Sequence, residues 1–151
     1  MANDSIAILI ACARLLAADS PIAPHVSVAA SYVADPEPTL LFEVRGEQSH
    51  TVFEADLPWG NFYSVRLTFR NSSGKQVCPL LKLPIDDPSD DEVTITTGQV
   101  LTGRVPLLDH CQSLPTLRSR GPIVVEWTYT PVVHKPKANQ PHGSVMVPAS
   151  R

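Results

Sequence analysis

The strictest pattern in the chain lies at 62–70, where Tyr63, Val65, Leu67 and Phe69 alternate with Ser64, Arg66, Thr68 and Arg70. Alternation with period two predicts a strand with one buried and one solvated face, as in an antiparallel sheet. A second such stretch spans 122–130, with Ile123, Val125, Trp127 and Tyr129 on one face and Val124, Glu126 and Thr128 on the other. Weaker alternation predicts strands at 25–33, 40–45, 50–54, 92–96, 99–107 and 144–147. The tetrapeptide Asn71-Ser72-Ser73-Gly74 has hairpin composition and leads into a return strand at 75–83. Pro79 within that return predicts an edge strand or a bulge, because proline cannot donate to a ladder. Residues 109–117 suit a single helical turn or an irregular crossing. Leu57-Pro58-Trp59-Gly60 and Asp35-Pro36-Glu37-Pro38 are loops.

Short strands repeating about every 8–12 residues, with Pro, Gly, Asn and Asp between them, predict an all-β fold. The expected architecture is an immunoglobulin-like antiparallel β-sandwich of about seven to nine strands with one short N-terminal α-helix. A β-barrel is the alternative. Proline strengthens the all-β prediction, at 15 of 151 residues. Each proline in a helix interior costs about 3 kcal/mol, which excludes a helical bundle or coiled coil.

The period changes near the N-terminus. Ile6, Leu9, Ile10, Ala13, Leu16 and Ala17 share one helical stripe, after the cap formers Asn3, Asp4 and Ser5. This predicts an apolar helix over 6–18, stopped by Asp19-Ser20-Pro21 and Pro24. The same stretch carries Leu9-Ile10-Ala11-Cys12, which resembles the lipobox of bacterial lipoprotein signal peptides and would make Cys12 a lipidation site. Against an export signal, no Lys or Arg precedes the apolar run, and that run is short for a signal peptide. The expected division is therefore 1–24 as an apolar helix or export-signal remnant, and 25–151 as one β domain with a Pro/Lys/His-rich C-terminal segment. If Met1 is the true start the protein is expected in the cytoplasm; otherwise it is periplasmic or secreted.

A net charge of −3 excludes a charge-driven nucleic-acid binder. No uncharged apolar run reaches about 18 residues, so no transmembrane span is expected. Cys78 and Cys111 are a candidate disulfide closing a loop of about 33 residues; the alternative is two buried thiols. Asp109-His110-Cys111 looks chemical, but sequential neighbours in a strand point to opposite faces and do not form a thiolate–imidazole pair. The acidic run Asp86, Asp87, Asp90, Asp91 and Glu92 lacks calcium-loop spacing and reads as a solvated loop that protects sheet edges. The histidines show no zinc-ligand spacing, and neither a cofactor nor a metal is expected. Asn71-Ser72-Ser73 matches a glycosylation sequon, but turn chemistry is its better explanation. Trp59, with Leu57 and Asn61 beside it, is the candidate partner-binding site, since loops at the ends of a sandwich carry function and Trp is enriched at interface hot spots. The alternative role for Trp59 is to cap an open end of the core.

Two stretches carry a family resemblance. One runs from Val65-Arg66-Leu67-Thr68-Phe69-Arg70 through Asn71-Ser72-Ser73-Gly74-Lys75. The other runs from Thr97-Gly98-Gln99-Val100-Leu101 through Arg104-Val105-Pro106-Leu107 to the strand at 122–129. Together they resemble the core of bacterial immunoglobulin-like domains of proteinase-inhibitor or accessory type. That resemblance implies a fold and not an activity. Three function classes follow. The first is a non-enzymatic protein-binding module: an inhibitor, immunity-type or accessory protein. The second is a structural subunit that self-associates or docks through the apolar N-terminal helix. The third is an enzyme assembling His50, Asp109 and His110 from separate loops.

Overall fold

The computed structural model describes residues 26–60, 64–80, 91–131 and 140–150. The helix expected at 6–18, Cys12, Asn61 and the acidic residues 86–90 lie outside the described residues. The described chain is mostly β, with 49% of it in strands and 12% helical. In order come β1 (Val26–Val33), β2 (Thr39–Gly46), β3 (His50–Phe53), a 3-10 turn (Glu54–Asp56), β4 (Val65–Arg70), β5 (Glu92–Ile95) and β6 (Val100–Pro106). Two short helices follow, α1 (Leu107–His110) and α2 (Leu114–Arg118), and then β7 (Ile123–Tyr129) and β8 (His142–Val147).

The strands form three antiparallel sheets, ordered β1-β2-β6, β3-β5 and β4-β7-β8. The alternation of β4 and β7 puts them side by side, with Leu67 opposite Trp127 and Phe69 opposite Val125. Their inward residues join Leu40 and Phe42 of β2 and Val105 of β6 in one core cluster. The two three-stranded sheets thus bury apolar faces in a common interior, the dominant stabilising term for such a fold. A smaller cluster of Val44, Leu57 and Ile95 lies between β2, the loop after the 3-10 turn and β5.

Two glycines make room for this packing. Gly143 of β8 pairs with Trp127, and a Cβ on it would come within 2.8 Å of the indole. Gly103 of β6 pairs with Phe42, and a Cβ there would enter the ring of Trp59. Glycine in a strand often marks such a close approach. Buried hydroxyls hold the 3-10 turn: Tyr129 Oη donates to the Asp56 carbonyl at 2.5 Å, and Ser64 Oγ donates to the Ala55 carbonyl. Burial, with the Asp56 carboxylate adding to it, pushes the Tyr129 phenol well above its usual pKa, so it remains a donor.

Two expectations change. The return strand at 75–83 does not form across its described part. A bond from Asn71 N to Lys75 O, an isolated bridge between Arg70 and Gln76, and the bond from Val77 N to Phe69 O continue the hairpin before the described ladder ends. Cys78 then leaves for its sulfur partner, and Pro79 has no N–H to extend the ladder. The crossing at 109–117 is a pair of short helices, because Pro106 ends β6 and Pro115 sits in the first turn of α2.

Trp127 is 5% exposed and meets Phe42 edge to face. Trp127→Ala is expected to lower unfolding free energy by about 3–5 kcal/mol, read from urea denaturation. A loss below about 1 kcal/mol would contradict this register.

Candidate binding site

The loop that carries Trp59 is built by the core. Leu57 is 3% exposed and belongs to the smaller cluster. Trp59 is half-buried, packs against both clusters and lies on Gly103. Its loop is closed by Gly60 N bonding to Leu57 O, and a Cβ on Gly60 would strike the Glu54 carbonyl. The ring therefore spans the gap between the two clusters, with part of its surface left accessible.

A second concave surface lies at the opposite end of β4 and the start of β7. It is a half-open groove of about 430 Å³. One wall is the hairpin Asn71–Val77; the other is the turn from α2 into β7, with Leu117, Arg120, Pro122 and Ile123. The hairpin wall is rigid for local reasons. Asn71 Oδ1 accepts from Ser73 N at 3.1 Å, Ser73 Oγ at 2.7 Å and Lys75 N at 3.0 Å. Gly74 takes φ +80°, a conformation open to glycine and strained for most other residues. The sequon thus serves as turn chemistry in the fold. Arg70 braces the hairpin from behind, donating to Glu126 at 2.8 Å and to the Gly74 carbonyl at 3.1 Å.

Cys78 and Cys111 are bonded, with their Cα atoms 5.8 Å apart. Cys78 directly follows the hairpin wall, and Cys111 lies between α1 and α2, so the bond ties both walls together. Ser113 Oγ sits 3.6 Å from Cys111 Sγ and 3.8 Å from Cys78 Sγ. This groove escaped the sequence analysis because its walls are far apart along the chain. The only signal that joined them was the candidate cysteine pair.

The remaining candidates are dispersed. His50 opens β3, its Nδ1 2.7 Å from the Gln48 carbonyl, while Asp109 and His110 belong to α1. Among the described residues, no three His, Cys, Asp or Glu side chains gather to hold a metal ion. No helix among them is long and apolar enough to cross a membrane. No protein-family model matches the chain, and no curated protein matches its sequence.

Burial pulls the His110 pKa below its usual value, and the neighbouring Asp109 opposes the shift in part. The folded protein therefore disfavours the charged imidazole, so the unfolded chain takes up a proton first as pH falls. Stability from this group is present above the unfolded pKa of about 6.5 and is lost on acidification through it. The melting temperature is expected to fall between about pH 7.5 and pH 5.5, and less so in His110→Gln. An identical slope in both proteins would remove His110 as the cause. Trp59→Ala is expected to destabilise by about 2–3 kcal/mol, less than a fully buried tryptophan, by the same denaturation assay.

Proposed function

We propose that this chain is a non-enzymatic protein-binding module, of the inhibitor, immunity or accessory kind, on an immunoglobulin-like sandwich. The strand order supports the sandwich. On this reading the sheets β1-β2-β6 and β4-β7-β8 take the places of the A-B-E and C-F-G halves of that fold, with α1 and α2 as the crossing between them. The bonded cysteine pair supports an oxidising location, periplasmic or secreted.

The observation that carries the binding role is the groove. It combines a braced hairpin, an apolar floor of half-buried Val77 and Leu117 with exposed Pro122, and the long cations Lys75 and Arg120. Concave surfaces with apolar area and a few placed polar groups are where partners dock. The accessible part of Trp59 is a second contact in this proposal, backed by the cluster that contains Leu57.

The test is site-specific photo-crosslinking in the cell that makes the protein. A photoreactive residue replacing Ser72 is expected to give an adduct of defined mass with one protein. The same residue replacing Ser27, exposed on the outer face of β1, is expected to give none. Adducts of equal yield at both positions, or none at Ser72, would overturn the groove as the docking surface.

A further inference from the structure

The groove also has a chemical sign. Lys75 and Arg120 line it, and no Asp or Glu does, in a chain whose net charge is −3. The hydrogen-bonding groups around them lean the same way. Asn71 spends its Oδ1 on three bonds within the turn, so what it has left to offer a ligand is the Nδ2 donor. Gln76 is the exception, since it spends one Nε2 hydrogen on the Cys78 carbonyl and keeps both its second N–H and its Oε1 acceptor. Ser72 adds a hydroxyl. Donors and cations together select a ligand rich in acceptors and negative charge. Two cations are too few to compete for a nucleic-acid backbone against the overall negative charge. The apolar floor, moreover, suits side chains rather than a bare anion.

We propose that the occupant is an extended acidic segment of a partner protein. Carboxylates on this segment pair with Lys75 and Arg120 from the two walls, and an aliphatic side chain between them rests on Val77, Leu117 and Pro122. This deepens the protein-binding proposal and rests on it. Arg120 supplies the bidentate partner for one carboxylate; Lys75 supplies a point charge for the other. Affinity is then salt-dependent, because both cations face open solvent.

The probe is a fluorescein-labelled peptide, Gly-Glu-Leu-Asp-Val-Glu-Gly, compared with Gly-Gln-Leu-Asn-Val-Gln-Gly by fluorescence anisotropy on the full chain. The acidic peptide is expected to bind at least about tenfold more tightly than its amide counterpart. That preference is expected to shrink as salt rises from about 0.05 to 0.5 M. Lys75→Gln combined with Arg120→Gln is expected to abolish the preference without moving the melting temperature, since neither side chain lies in the core. Inorganic phosphate at millimolar concentration is expected not to displace the peptide. Equal binding of the two peptides, an unchanged preference in the double variant, or displacement by phosphate each overturns the acidic-segment proposal. The Ser72 crosslink separates the two levels. An adduct obtained while the acidic peptide fails leaves the groove as a docking surface for a segment of other chemistry. The absence of any adduct removes both.

Discussion

Phe42 and Trp127 meet edge to face in the space between the two three-stranded sheets, their ring centroids 5.4 Å apart. Each ring stands on the central strand of its sheet, β2 in one and β7 in the other. Aromatic pairs of this geometry contribute about 0.5–1.5 kcal/mol beyond the area they bury. Their larger effect is on register. A slip of one residue in β2 or β7 would turn a ring to solvent and reverse every side chain on that strand. Both rings also need space, and each is paired across the ladder with a glycine, Gly103 or Gly143. The gap over Gly103 is filled by Trp59, so the core contact also determines where the Leu57–Gly60 loop lies. Tyr129, on the same face of β7 as Trp127, then fixes the neighbouring 3-10 turn through the Asp56 carbonyl.

Strand positions were legible wherever one face was buried and the other wet. The patterns at 62–70 and 122–130 announced β4 and β7 because alternation is what a half-buried strand imposes on a sequence. Among the described residues the ends differ by a residue or two, as expected where ladders fray. The hairpin at Asn71–Gly74 was equally legible, since its glycine must take a positive φ. The return strand was misjudged because a short apolar run after a turn predicts pairing, whereas Cys78 and Pro79 pull the backbone off the ladder after one bridge. The β3-β5 sheet was visible as two strands but not as a partnership, because pairing between segments separated by two other elements leaves no local trace.

The two candidate surfaces divide along the same line. Trp59 drew attention through its loop composition, and composition alone does not separate a surface contact from a plug. Its contact with Gly103 shows the ring at work in the core, with only the remainder open to a partner. The groove had no local signature at all. Its cations, Lys75 and Arg120, lie far apart in sequence, and they line one surface only when the hairpin and the α2–β7 turn are brought together.

What keeps those walls together is a question of loop entropy. The five-residue α2 is too short to hold its shape in isolation, since even helices of about 12 residues are marginal in water. It is held from the inside by Leu114, fully buried, and from the side by the bond between Cys78 and Cys111. With the cysteines at a sequence separation of 33, the chain-entropy model assigns that closure about 3–4 kcal/mol. The same constraint that stabilises the fold removes freedom from the groove before any partner arrives. A preformed site has less conformational entropy to lose on binding, so a modest number of contacts suffices for a given affinity. Under the proposed docking role the cross-link therefore connects stability and recognition in one covalent bond, and the groove walls that it joins are held for separate reasons: the hairpin through Asn71 and Gly74, the helical wall through Leu114 and the sulfur bridge.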